Sequence, residues 1–474
     1  MTRHVNTAII GAGSAGLSAL RQVKKSTVSF VLTDPGPLGT TCARVGCMPS
    51  KALIHVANTY HARNAFEQQG INGAAHLQCD IPTVLRHVRS LRDRFTNGMV
   101  EATQQLAGDK LLQGKAVLEG PQRIRVGDLV IHAERIILAT GASPLVPKPW
   151  RAFGDRILTS GTLFEQKNLP RRMAVIGLGA IGLELGQALA RLGVSVTGFD
   201  LADTIGGLQD PAVRAAAIAL QRKEWDLHLG VSAVVREVAG GLEVSAGKEK
   251  VLVESILVAV GVQPNVRDLG LETLGIELDE HGMPPVNPHT SQIGDLPVYL
   301  AGDANGFRPI LHEALDEGLI AGRHSAQESD RVCHCRRTPL QMVFSDPQCV
   351  AVGQSLSELE ERDIVIGEAS FEDQARAIVE GRNNGLLRIY ADAVSGQLYG
   401  AEMAVPDGEH LGHLLGLAIQ ADLTVFDVLH MPFYHPTIEE GLRTALRAVA
   451  KQIEFKEPPG ELSLCESCTE RPLS

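Results

Sequence analysis

The stretch that decides the fold is VNTAIIGAGSAGLSALRQVKKSTVSFVLTD, residues 5–34, echoed at residues 173–200 by MAVIGLGAIGLELGQALARLGVSVTGFD. Each copy has a short apolar strand, glycines at the first, third and sixth loop positions, an amphipathic helix, a β-rich strand and a terminal Asp. The interval from Gly11 to Asp34 is 23 residues, and so is that from Gly177 to Asp200. Gly11 and Gly177 allow the tight turn out of the strand. Gly13 and Gly179 let a pyrophosphate approach backbone N–H groups at a helix N-terminus, where the dipole favours an anion. Gly16 and Gly182 let helix and strand pack closely, and Asp34 and Asp200 accept ribose hydroxyls. One such loop is a weak signal. Two matched copies, each strand–loop–helix–strand, predict that the chain binds two dinucleotides, one on each of two domains.

Composition agrees with that reading. A chain of 474 residues is too long for one ordinary core and predicts two to four domains. With 44% hydrophobic and 21% charged residues it is close to the globular average, which argues against an intrinsically disordered chain. Glycine is abundant and aromatics are only 4%, which favours an α/β nucleotide binder over an all-β sandwich. The net charge of −11 gives no electrostatic reason to bind nucleic acid. The most apolar window, residues 173–190, carries Glu184 and a glycine motif, so no membrane span is expected. Residues 1–10 run straight into the glycine loop with no separate hydrophobic region or cleavage site, so no secretory signal is expected. Eight cysteines are too few for a disulfide scaffold and fit a reducing cytoplasm.

Two further segments carry chemistry. In GPLGTTCARVGCMPSK, residues 36–51, Cys42 and Cys47 stand five positions apart. In a regular helix that spacing separates the Cα atoms by about 8.6 Å, beyond the ~7 Å limit for a disulfide. A bridge therefore needs a distorted turn, which Gly46 permits; two reduced core thiols are the alternative. Near the other end, His435 precedes Pro436 and Thr437 just before a helix, and Glu440 follows in the first turn. A His beside a carboxylate can be held in one tautomer, suited to taking a proton from a thiol, although a structural histidine reads the same way.

Six ordered motifs resemble the class I pyridine nucleotide–disulfide oxidoreductases: GAGSAG at 11–16, TCARVGCMPSK at 41–51, ATGASP at 139–144, GLGAIGLE at 177–184, AGDAN at 301–305 and HPTIEE at 435–440. The resemblance implies FAD on the first glycine loop and a nicotinamide dinucleotide on the second. It makes Cys42 the outer interchange thiol and Cys47 the thiol against the flavin, with Lys51 near flavin N5 and paired with Glu184. Asp303 would bind the ribityl chain, ATGASP would form the crossover between the two domains, and Thr41, Thr140, Gly141 and Gly261 join the cofactor contacts. His435 becomes the general base, oriented by Glu440 and reaching the disulfide of the partner subunit, which implies an obligate homodimer. His312 and His430 fall to structural places or near the flavin.

Asp200, with Leu201, Ala202 and Asp203 adding no positive charge, favours NAD over NADP. The implied reaction is oxidation of a small dithiol or lipoyl carrier, foremost dihydrolipoamide, with reduction of NAD. The sequence departs from dihydrolipoamide dehydrogenases at three places: Thr40 replaces the second glycine of GGTC, Arg44 replaces an asparagine, and Phe433 replaces the first His of HxHPT. Arg44 beside Cys42 would suit an anionic carrier. Two alternatives stay open: reduction of another disulfide or a metal ion, and a redox-responsive assembly subunit with little turnover.

CHC at 333–335 and CESC at 465–468 have no counterpart in the family pattern. Cys333, Cys335, Cys465 and Cys468 would make a tetrahedral Zn site if the tail folds back; CESC would otherwise be a shuttle dithiol, or all four are incidental. Cys79 and Cys349 are expected to be buried. The expected fold is α/β in three parts: an FAD domain at 1–150 and 265–335, an NAD domain at 151–264, and a C-terminal α+β interface domain at 336–474. In the last, LLRIYADAVSGQLYGAEM joins an antiparallel sheet, and the tail from about 457 is expected to be mobile.

Overall fold

The computed structural model describes residues 1–326, 333–454 and 461–462, so Cys465 and Cys468 lie outside the described residues. The first sheet grows from the opening strand Thr2–Ile10, whose second half is fully buried. It lies between Phe30–Asp34 and Leu129–Leu138, parallel to both. Leu111–Gln113 extends the parallel run on one side, and Val298–Leu300 pairs with the end of Leu129–Leu138 on the other. An antiparallel ribbon, Ala116–Gly120 and Arg123–Val126, completes the edge. The return of Val298–Leu300 from late in the chain explains why one nucleotide unit is discontinuous in sequence.

Two helices cover this sheet in close contact, the first spanning Ser14–Val23 and the other Leu311–Ser325. A side chain on Gly318 would strike the Ala15 carbonyl oxygen at 2.2 Å, and one on Gly322 the Ala19 carbonyl oxygen at 2.6 Å. The glycines of the second helix therefore allow the backbones to meet, at the expense of helix propensity.

The second sheet repeats the design with five parallel strands, in the order Asp226–His228, Ser195–Phe199, Arg172–Ile176, Ser255–Val258 and Ile157–Leu158. A three-stranded antiparallel sheet over residues 234–253 packs beside it. The chain enters and leaves this unit through one two-stranded ribbon, in which Ala142–Pro144 pairs with Val262–Pro264. ATGASP thus sits at the crossover.

The third sheet is wholly antiparallel: Leu340–Val343, Gln348–Gly353, Leu398–Val405, Leu386–Asp392 and Ile364–Ser370. Helices Gly408–Gln420 and Glu439–Ala450 bury their apolar faces against it. Two Rossmann-like units and an α+β unit make up the α/β fold. Buried carboxylates join the second and third units. Glu402 accepts the backbone N–H groups of Gln209 and Asp210, while Asp210 accepts from Arg388 and Tyr390, each at 2.8 Å. No helix of the described residues is long and apolar enough to cross a membrane.

Candidate functional site

Both glycine loops have the shape their spacing predicts. Gly11 stands at φ +106° and Gly177 at φ +93°, conformations that favour glycine. A Cβ on Gly16 would lie 1.9 Å from the Gly11 carbonyl oxygen, and one on Gly182 would lie 1.8 Å from that of Gly177. The third-position glycines differ in what surrounds them. A Cβ on Gly13 would come no nearer than 4.0 Å to its neighbours, and one on Gly179 would meet nothing within that range. Both helices start from glycine caps with no side-chain acceptor, so their first N–H groups are available. Space, amide donors and dipole converge where a pyrophosphate would lie.

The two strand-end acids are already engaged. Asp34 accepts from the N–H groups of Ala12 and Gly36, each at 2.7 Å. Asp200 accepts from Leu178 and from Ala202, the latter at 2.8 Å. Each thus fastens its own glycine loop. The carboxylate oxygens keep second lone pairs for ribose hydroxyls.

Elsewhere the first unit leaves polar groups unanswered. The Thr140 hydroxyl is buried with no hydrogen-bond partner among the described residues. Burial pushes the Asp303 carboxyl above its usual range. Gly141 and Gly261, both at positive φ, have open space where a side chain would stand. An orphaned hydroxyl, a desolvated acid and an open glycine cradle fit a dinucleotide with polar hydroxyls and a phosphate bridge. Glu317, which sequence reasoning missed, shapes this cradle: its carboxylate is buried and accepts from Gly302 N–H at 2.7 Å and from the Asn305 amide at 2.6 Å. The signal was present as the third acid of LHEALDEG, residues 311–318, but nothing local says which loop it holds.

The thiols meet because the helix breaks. Cys42 lies in a short helix Thr41–Val45, Cys47 begins the helix Cys47–His61, and Gly46 between them stands at φ −115°, ψ −114°, outside helical space. The distortion at Gly46 brings Cys42 close enough to donate a hydrogen bond to Cys47. That bond lowers the Cys47 thiol to about 7 against the opposing effect of burial, and Lys51 adds to the lowering. Cys42, as donor and partly buried, is pushed far above the ordinary thiol range. In the reduced protein, thiolate absorbance is therefore expected to rise with a midpoint near pH 7. Lys51→Gln, which removes a favourable cation, should move that midpoint upward in the same titration.

Thr40 precedes this helix at φ +59°, ψ 149°, a region costly for a β-branched residue. It is buried, and its hydroxyl caps the helix by accepting from Ala43 N–H at 3.3 Å. Relief of strain should outweigh the weak cap lost, so Thr40→Gly is expected to stabilise the protein by about 1 kcal/mol. A rise in the thermal unfolding midpoint checks this.

Lys51, one turn beyond Cys47, extends its ammonium to Glu184 at 2.7 Å. Glu184 is only 5% exposed. It is the fifth residue of the helix Ala180–Arg191, beyond the capping positions, and its partner is the ion pair. Its other oxygen accepts from Phe344 N–H at 2.9 Å, and the Lys51 ammonium lies 4.7 Å from the centre of the Phe344 ring. Phe344 comes from the third unit and carried no local signal. All three units thus contribute to this half-buried contact, which fixes Lys51 beside the thiols.

At the opposite end, His435 Nδ1 lies 3.0 and 3.1 Å from the two oxygens of Glu440. A carboxylate only accepts, so Nδ1 carries the proton, and in the neutral ring Nε2 is the open lone pair. Glu440 is itself positioned by Thr437 N–H at 3.2 Å. The His435 side chain is 70% exposed, and Tyr434 beside it is also exposed. The histidine has an orienter and an open face. Phe433 packs against the apolar core of the third unit, under the Arg443 guanidinium.

The remaining cysteines divide. Cys349 is buried, which pushes its thiol up to about 11, while Cys79 is half-buried. Cys333 and Cys335 are exposed. Among the described residues, no group of three or more His, Cys, Asp or Glu is arranged to hold a metal. The four-cysteine site falls partly outside the described residues.

Comparison with known proteins agrees with this geometry. The pattern of the pyridine nucleotide-disulphide oxidoreductases matches residues 5–324, and that of their dimerisation domain matches residues 340–446. The chain is 32% identical over 465 residues to a dihydrolipoyl dehydrogenase of Thermus scotoductus, covering 94% of this chain and 97% of that one. It is 30% identical over 455 residues to the dihydrolipoyl dehydrogenase of Haloferax volcanii, covering 92% and 94%. The HOCl-induced flavoprotein disulfide reductase RclA of Escherichia coli, solved as a Cu(II) complex, shares the fold with a TM-score of 0.82 at 23% identity, over 94% of this chain and 100% of its own. LpdA of Mycobacterium tuberculosis does so with a TM-score of 0.82 at 24% identity, over 94% and 99%. The dimerisation domain supports a homodimer. The chain belongs to the pyridine nucleotide-disulphide oxidoreductases, an FAD- and NAD-using family of flavoprotein oxidoreductases.

Proposed function

We propose that the protein oxidises a small dithiol, foremost dihydrolipoamide free or on a carrier, and reduces NAD. The observation that carries this is a Cys47 thiol lowered to about 7 beside Cys42 and Lys51; His435, oriented by Glu440, stands apart from it in the same chain. His435 Nε2 of the partner subunit takes the proton of the incoming thiol. The resulting thiolate opens the Cys42–Cys47 bridge at Cys42, and Cys47 leaves as the thiolate beside Lys51. The second substrate thiol, deprotonated in turn, releases Cys42 and closes the oxidised product. Bound FAD supplies the electron relay from this pair to the nicotinamide. Lys51, held by Glu184, keeps a positive charge against the Cys47 thiolate. Asp200 would accept ribose hydroxyls and repel a 2′-phosphate, which favours NAD over NADP.

The test is steady-state reduction of NAD by dihydrolipoamide, run beside NADP. Rapid turnover with NAD and little with NADP is expected. A flavin reduced by NADH but inert to dihydrolipoamide would overturn the substrate and leave the family untouched. Stable association with a lipoyl carrier and no turnover would favour an assembly subunit.

One observation favours a second reading, in which CESC carries electrons outward to another disulfide or a metal ion. Glu461 accepts from Arg443 at 2.7 Å and from Arg447 at 2.5 Å, on the helix whose first turn holds Glu440. Cys465 follows four residues later, a reach of at most about 14 Å. Loss of NADH-dependent reduction of a bulky disulfide in a Cys465→Ser/Cys468→Ser variant, with dihydrolipoamide turnover intact, would support it.

A further inference from the structure

The CHC segment takes no part in the chemistry above, yet it is built in a particular way. Exposure alternates along it: Cys333, Cys335 and Arg337 are exposed, and His334 and Arg336 between them are half-buried. Alternation of period two is the mark of extended backbone, so both thiols project from the same outward face. Their Cα atoms are then about 6.6 Å apart, at the long end of what a disulfide spans, and both are present as thiols.

The backbone beneath them is fastened on both sides. His334 N–H donates to the His289 carbonyl at 3.1 Å, and the His289 ring returns a bond from Nδ1 to the His334 carbonyl at 2.9 Å. Immediately after Cys335, the Arg336 guanidinium is locked to Glu313 and Glu317 at 2.5 and 2.9 Å. Glu317 is the carboxylate that shapes the loop bearing Asp303. Two exposed thiols are thus held on one face of an anchored, irregular segment.

We propose that Cys333 and Cys335 form a binding site for a soft, closed-shell metal ion such as Cu(I), held between two thiolates. Thiolate ligands select soft ions. Structural Zn(II) takes four ligands, whereas among the described residues the two thiols have no third or fourth His, Cys, Asp or Glu arranged beside them, so the set argued here is two thiolates. A two-thiolate set suits an ion content with two-fold, near-linear coordination. Binding releases the thiol protons and involves no electron transfer.

Ag(I) is a redox-inert probe of this class. The experiment is equilibrium dialysis of the full-length holoenzyme against Ag(I), with the bound metal counted and its X-ray absorption recorded. A Cys465→Ser/Cys468→Ser background removes the tail dithiol from the count. In that background, adding Cys333→Ser/Cys335→Ser should lower bound Ag(I) by one equivalent and remove a two-sulfur shell from the spectrum. NAD reduction without metal should be equal in both proteins, which controls for folding. An unchanged equivalent count overturns the site. Retention of one Zn(II) by the background protein, lost on adding Cys333→Ser/Cys335→Ser, overturns the two-coordinate assignment.

Discussion

Replacing Cys47 by Ser is expected to abolish dithiol turnover while leaving bound FAD and its reduction by NADH intact. The size of the loss follows from the role. Cys47 is the leaving thiolate when substrate opens the bridge, and a serine oxygen can neither form that bridge nor carry its electrons. Removing one member of a unit that acts together costs as much as removing all of it, on the order of 10⁴- to 10⁶-fold. Folding should be spared. The change is nearly isosteric, the helix Cys47–His61 keeps Pro49 in its first turn, and Lys51 keeps Glu184 at 2.7 Å. The measurement pairs NAD reduction by dihydrolipoamide with anaerobic titration of the flavin by NADH. Substantial dithiol turnover in the variant would sink the mechanism. Failure of NADH to reduce its flavin would show instead that the cofactor site had been disturbed.

The legibility of this protein in its sequence is uneven for physical reasons. The glycine loops were readable because their constraints are local. Gly16 lies against the Gly11 carbonyl within one turn of chain, and only glycine fits. The break at Gly46 was readable for the same reason, since helix geometry alone forbids a bridge across five residues without it. The pairing of Lys51 with Glu184 came only from resemblance, because 133 residues separate the partners. Phe344 and Glu317 were not found at all. Phe344 acts through its backbone N–H on a carboxylate of another unit, and Glu317 through a buried carboxylate on a loop of its own unit that no local pattern names. Asp34 and Asp200 were assigned to ribose, and their bonds to their own loops passed unnoticed, because spacing reports a position and not its hydrogen bonds. Thr40 shows the reverse: a departure visible in the sequence, whose cost became clear only with its left-handed backbone.

The histidine raises a question that a single chain can pose but a pair must answer. His435 and Glu440 are fully formed as an oriented pair, yet the ring is 70% exposed and faces outward. If the base serves the thiols of the partner subunit, His435→Ala should lower dithiol turnover by about 10²- to 10⁴-fold, the usual scale for general acid–base catalysis. Glu440→Gln should cost less, because it alters orientation and tautomer while leaving the base in place. Neither change should affect flavin reduction by NADH. The decisive form of the experiment mixes two inactive homodimers, Cys47→Ser and His435→Ala, under conditions that exchange subunits. In a mixed dimer, one site joins the serine to the alanine and is dead, while the other joins an intact Cys42–Cys47 pair to an intact His435. Crossed sites therefore restore activity approaching half that of the wild type per mixed dimer. Sites contained within one subunit restore none, because every chain carries one lesion. Recovery on mixing assigns the base to the partner; no recovery, with subunit exchange verified by tagged copurification, refutes it.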